Sequence, residues 1–152
     1  MKTPTSRPVV LCLSGHDPSG GAGLQADIEA LLAQGCHAAP AVTALTVQDT
    51  VNVSDFRVLD REWVLAQANA VLADLPVAAV KLGMLGSLEM VDTVAEILAA
   101  HPHLPVAVSY THLRAHETLA NLVCRLMLEK KKKQKKQKKK KKTHTQKTSH
   151  RV

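Results

Sequence analysis

The chain has 152 residues, 45% of them hydrophobic, with 20 Lys+Arg against 13 Asp+Glu, a size that fits one domain with a sizeable core. No apolar run reaches the ~18 residues of a membrane span, and residues 1–7 lack the apolar centre of a signal peptide. Three cysteines (Cys12, Cys36, Cys124) without C-x-x-C spacing argue against a disulfide framework or a zinc cluster, so a soluble cytoplasmic protein is expected.

Residues 8–14 (PVVLCLS) form a continuous apolar run, as a strand buried on both faces requires. A turn-rich segment follows, residues 15–23 (GHDPSGGAG). Leu24, Ile28, Leu31 and Leu32 then recur at helical spacing, and Gly35 supplies a stop. Residues 38–46 read as a second buried strand, followed by a polar loop over 47–52, and residues 53–59 as a short edge strand. Asp60 is placed to cap a helix through Trp63, Ala66, Gln67, Ala70 and Leu72. Residues 77–82 (VAAVKL) give a third buried strand and 83–86 a turn. Ser87 then caps an amphipathic helix through Met90, Val91, Val94, Ile97 and Leu98, broken at His101-Pro102-His103, and residues 105–107 open a further strand. Alternating strands and helices predict an α/β fold with a mostly parallel sheet. Ligands in such folds sit at the carboxyl ends of the strands, which directs attention to residues 15–23, 46–50 and 83–86.

The glycine-rich loop 15–23 joins a strand to a helix, but it is neither a Walker A motif nor a G-x-G-x-x-G fingerprint. Taken alone it fits a tight structural turn as well as a site. Asp27 falls in the first turn of the helix that rises from it, where the helix dipole favours a carboxylate that can point back to the strand ends. Gln48 offers a heterocycle both a donor and an acceptor, and Met84 a soft apolar surface. A solvated acid, a loop amide and a core methionine are the structural alternatives.

Three motifs in order, residues 14–27 (SGHDPSGGAGLQAD), 42–50 (VTALTVQDT) and 81–85 (KLGML), resemble those of the hydroxymethylpyrimidine/phosphomethylpyrimidine kinases of the ribokinase-like superfamily. The resemblance covers residues 8–107 and implies a truncated ribokinase-like three-layer sandwich over residues 1–107. It implies phosphoryl transfer from Mg-ATP, first to the hydroxymethyl group of 4-amino-5-hydroxymethyl-2-methylpyrimidine and then to the resulting monophosphate, in thiamine biosynthesis by a homodimer. Carried over by position, Gly15, Ala22, Asp27, Gln48 and Met84 line the pyrimidine pocket. Gln48 reads the ring nitrogen and amino group, and Met84 packs against the ring. His16 stands where many members carry a small polar residue. Pyridoxal kinases of the same superfamily, or a non-catalytic pyrimidine-binding remnant, are the alternatives.

The family's catalytic base, an Asp or Cys at a helix N-terminus in the C-terminal half, has no counterpart here, so no catalytic residue and no metal ligand is assigned. The strand opening at residue 105 is expected to run into an Asp-Pro-Val-Met type sequence, but the chain reads Val108-Ser109-Tyr110-Thr111. Residues 108–118 and 122–130 back-translate, with one base change at Met127, onto the two ends of a transposase-type DNA-sequencing adapter. Residues 119–121 fall at its index, and residues 130–142, eleven Lys and two Gln, match a poly-A read. Residues 108–152 are therefore expected to be a non-native, disordered extension without evolved function. The net charge of +7 divides accordingly, −6 over residues 1–107 and +13 beyond. The lysine run would bind nucleic acid only non-specifically and weaken with salt. His112, His116 and Glu117 lack the H-E-x-x-H order, so no metal is expected there. A sheet cut near residue 107 exposes a strand edge and uncovers part of the core, which predicts an inactive, poorly soluble, partly folded chain.

Overall fold

The computed structural model describes residues 7–109. The extension from residue 110 onward, with His112, His116, Glu117, Cys124 and the lysine run, lies outside the described residues. The apolar run after Arg7 forms β1 (Val9–His16), in which Leu11, Cys12 and Leu13 are fully buried. The elements that follow are α1 (Gly23–Ala33), β2 (His37–Gln48), β3 (Val53–Val58), α2 (Arg61–Asp74), β4 (Val77–Leu82), α3 (Leu88–Ala100) and β5 (Val106–Val108). The α/β pattern is therefore present.

The strands pair in the order β3-β2-β1-β4-β5. β1 runs parallel to both β2 and β4, β4 runs parallel to β5, and β3 closes one edge antiparallel to β2. The chain moves one way across the sheet from β1 to β2 and the other way from β2 to β4 to β5. Right-handed crossovers then put α1 on one face and α2 and α3 on the other. The main core lies on the second face. Leu11, Leu13, Ala41, Val80 and Leu82 meet Val64 and Ala68 of α2 and Met90, Val91, Val94, Ile97 and Leu98 of α3. Arg61 ties these two helices together through Glu96 at 2.6 Å and Thr93 at 3.3 Å.

Ser87 caps α3, its hydroxyl accepting from the Met90 N–H at 3.1 Å. Asp60 occupies the cap position of α2, but its side chain makes no capping hydrogen bond. The buried face of α2 also differs from the expected one. Val64 and Ala68 point inward, whereas Trp63, Ala66 and Ala70 are exposed. An alanine-rich helix has too little contrast between its sides for periodicity to orient it. α1 buries Leu24 fully but leaves Ile28 and Leu32 exposed, so its apolar stripe is only partly used. β2 is buried at Ala39, Ala41, Thr43 and Ala44 and exposed at Pro40, Leu45 and Val47, not enclosed along its whole length. It also runs to Gln48, so residues 46–48 belong to a strand end and not to a loop.

Candidate functional site

The connections after β1 and β4 leave for opposite faces of the sheet, and a crevice opens where they part. A cavity of about 790 Å³ lies there, at the carboxyl ends of β1, β2 and β4. Gly15, Ala22, Asp27, Gln48 and Met84, five residues spread over 70 positions of sequence, all line it.

Its floor is backbone. The Gly83 N–H donates to the Leu13 carbonyl at 2.8 Å, which draws the turn after β4 onto β1. A methyl group at Gly83 would collide with Ser14 Oγ and stand 2.7 Å from Ser14 Cβ, so only glycine fits this approach. One wall depends on a bulge. The β1–β2 register passes from Ser14↔Val42 to Gly15↔Ala44, leaving Thr43 as an extra residue. Thr43 and Ala44 are consequently both buried in succession. The freed Thr43 hydroxyl donates to the Met84 carbonyl at 2.6 Å. Met84 is thereby held beside Gly15, close enough that a methyl group added at Gly15 would touch the Met84 Cβ and Sδ at ordinary van der Waals distance.

The glycine-rich loop is organised by Asp17, which is 3% exposed. One carboxylate oxygen, Oδ1, accepts from both the N–H and the hydroxyl of Ser19 at 2.8 Å. The Gln48 side chain and the Ala22 backbone are further polar neighbours that favour the charged carboxylate. Burial pushes the Asp17 carboxyl up, but these contacts outweigh it and hold the group below the ordinary carboxylate range. The Asp17 N–H donates to Gln25 Oε1 at 3.2 Å, and the Thr46 hydroxyl donates to the His16 carbonyl at 2.8 Å. The ends of β1, β2 and α1 are thus fastened to one another around the cavity. Gly23 opens α1 with φ +59°, and any side chain there would strike the Gly15 carbonyl oxygen.

Asp27 does not sit in the first turn of α1, which begins at Gly23; it lies one residue beyond it. Nor is it a solvated acid. Lys81 Nζ, from β4, stands 2.6 Å from Oδ1 and 2.7 Å from Oδ2, straddling the carboxylate. Their side chains are only 13% and 18% exposed, so each charge needs the other. Cys12, paired with Lys81 in the sheet, lies beneath them. Burial, and after it the charge of Asp27, push its thiol up to about 11.

Two residues that organise the site were not singled out from sequence. Lys81 carried a signal, because a lysine inside an otherwise apolar strand requires a buried partner. Asp17 carried a weaker one, since Asp-Pro-Ser marks a side-chain-stabilised turn without revealing that the carboxylate is buried. Among the described residues no group of three or more His, Cys, Asp or Glu could hold a metal ion.

A model of the phosphomethylpyrimidine kinase family matches residues 17–132, so the match continues past Ala107. A hydroxymethylpyrimidine/phosphomethylpyrimidine kinase of Streptomyces coelicolor is 47% identical over 96 residues, covering 63% of this chain and 36% of the relative. The chain thus spans about a third of that relative's length. A crystal structure of phosphomethylpyrimidine kinase from Clostridium difficile 630 superposes with a TM-score of 0.63 at 34% identity, over 68% of this chain and 45% of the other. The pyridoxal kinase of Staphylococcus aureus in complex with pyridoxal gives a TM-score of 0.60 at 28% identity, over 68% and 39%.

Proposed function

The chain belongs to the phosphomethylpyrimidine kinase family, and from that premise we propose that residues 7–109 form the substrate-recognition part of a hydroxymethylpyrimidine/phosphomethylpyrimidine kinase. The observation that supports this reading best is the convergence of Gly15, Ala22, Asp27, Gln48 and Met84 on one cavity at the strand ends. The ring lies against Met84 over the Gly83 floor, Gln48 meets its polar edge, and Asp27, fixed by Lys81, accepts from the substrate hydroxyl. The reaction is phosphoryl transfer from Mg-ATP to the hydroxymethyl group and then to the monophosphate. Phosphoryl transfer rests mainly on positioning and charge stabilisation. The described residues fit only the first of these tasks. They offer no group of metal ligands, and the Lys81 ammonium is committed to Asp27. No step through Mg-ATP is derived from them.

Within the same proposal the protein works in the cytoplasm as a homodimer. Residues 108–152 are a non-native extension that touches nucleic acid only through its lysines, although its first residue, Val108, is ordered as the end of β5 and the family match runs on to residue 132. A DNA read across codons 100–120 from unfragmented template tests that boundary, and an uninterrupted Ser109-Tyr110-Thr111 in the genome overturns it. The neighbouring pyridoxal kinase makes pyridoxal the second ligand to weigh. Calorimetric titration of the full chain with 4-amino-5-hydroxymethyl-2-methylpyrimidine and with pyridoxal separates them. Tighter binding of the aminopyrimidine is expected. Tighter binding of pyridoxal, or binding of neither, overturns the reading.

A further inference from the structure

β3 ends the sheet on one side, and no strand among the described residues pairs with its outer edge. Residues 53–57 are all exposed. The Leu59 N–H donates to the Thr43 carbonyl at 2.9 Å. Main-chain groups of an antiparallel ladder point alternately to the partner and away from it. Those of Asp55 and Arg57 are therefore turned toward β2, and those of Phe56 and Val58 toward the open edge. The Phe56 N–H is met there by the neighbouring carboxylate, Asp55 Oδ1, at 2.7 Å. Side chains alternate as well. Asp55 and Arg57 stand opposite Val47 and Leu45 on one face of the sheet, and Phe56 stands opposite Thr46 on the other, where both line the cavity. Arg57 makes no hydrogen bond or ion pair with any described residue.

This edge is complementary to itself. An acid and a base flank Phe56, so an antiparallel copy turned about a two-fold axis at Phe56 sets each acid opposite a base. We propose that the β3 edge is the contact of a two-fold dimer of this chain, with two β3 strands paired antiparallel about Phe56. The Phe56 N–H exchanges the Asp55 carboxylate for the carbonyl of Phe56 of the partner subunit, and Asp55 turns to the partner's Arg57. Symmetry makes two such pairs, bordered by the exposed Leu45 and Val47. On the other face the partner's Phe56 comes to lie beside Phe56, so each copy adds a residue to the rim of the other's cavity. The contact rests on the homodimer reading above and supplies the strand that makes it. Six residues a side are few beside the roughly 20–30 of a stable interface. A dissociation constant of about 10–100 μM is therefore expected.

Sedimentation velocity of the full chain over about 5–300 μM reads this equilibrium. Arg57→Asp and Asp55→Arg each place like charges across the axis and should each weaken dimerisation by roughly tenfold or more. The variant carrying both exchanges restores opposite charges, and its dissociation constant should return to within about threefold of the unmodified chain. The opposite edge, β5, has no charged side chain, so association there ignores these exchanges. A dimer indifferent to both single exchanges, or one that the double exchange does not restore, overturns the β3 contact and leaves the homodimer standing. Open-ended growth with concentration also overturns the contact, because a two-fold pair is closed. A chain still monomeric at about 300 μM overturns both the contact and the homodimer.

Should an exchange prevent folding, amide hydrogen exchange of the unmodified chain decides the matter. The Phe56 and Val58 N–H groups face the open edge, and both should exchange more slowly at about 300 μM than at about 5 μM. Exchange at these two amides that does not depend on concentration overturns the contact.

Discussion

The two faces of the sheet solve different problems with the same strands. The face under α2 and α3 is apolar almost without exception, and its fully buried side chains include Leu11, Leu13, Val64, Val80, Leu82, Met90, Val91 and Val94. The face under α1 buries Leu24 and Cys12 but also holds Ser14, Asp17 and the Asp27–Lys81 pair toward its carboxyl end. The first face is a non-directional packing problem, in which burial area sets the energy. The second is a directional one, in which a misplaced partner leaves a charge or dipole without compensation. A single alternating strand such as β1 serves both, sending Leu11 and Leu13 one way and Cys12 and Ser14 the other.

Substitutions that break this contrast should differ in size and in kind. On the packed face, Met90→Ala leaves a cavity beneath α3 and should cost about 3–4 kcal/mol in urea unfolding. If that cost proves below about 1 kcal/mol, this face is not the close-packed one. On the polar face, Lys81→Met strands the Asp27 carboxylate and should cost roughly 3 kcal/mol. Adding Asp27→Asn should return most of that stability, because the penalty comes from the unpaired charge and not from lost packing. A double variant no more stable than the single one would contradict a mutually dependent pair.

A smaller effect follows from Cys12. Its folded thiol titrates at about 11 against 9.0 for an unperturbed thiol. The unfolded chain therefore releases this proton first, and the stability tied to Cys12 is fully present below pH 9 and declines as pH rises from 9 toward 11. Unfolding measured across that window should show the decline, and Cys12→Ala should remove that component. Cys36, partly exposed, should be alkylated well before the buried Cys12. The smallest effect belongs to the outer side of α1, where Ile28→Lys and Leu32→Lys should each change stability by less than about 0.5 kcal/mol. A larger loss would mean that these exposed side chains are covered by more of the protein.

Much of this arrangement was legible in sequence because the apolar runs of β1 and β4 and the strong periodicity of α3 are local signals. The glycine-rich loop, Gln48 and Met84 were legible as three separated motifs that share the carboxyl ends of parallel strands. The orientation of α2 was not, since Ala66, Ala68 and Ala70 look alike until Val64 is seen against the sheet. The partner of Asp27 was not legible either. Lys81 lies 54 residues away, and only the pairing of β1 with both β2 and β4 brings it close. Long-range pairing is set by which faces can be buried together, and no local window contains that information.

The Gly83–Ser14 contact has a consequence for how such a pocket can diverge. The Gly83 backbone is bonded to Leu13 and packed on the Ser14 side chain, so any atom added at Gly83 meets Ser14. Change of ligand preference in this architecture is therefore confined to the rim. Gln48 and Met84 line the cavity above this platform, so a change of side chain at either alters what a ligand meets without rebuilding the sheet.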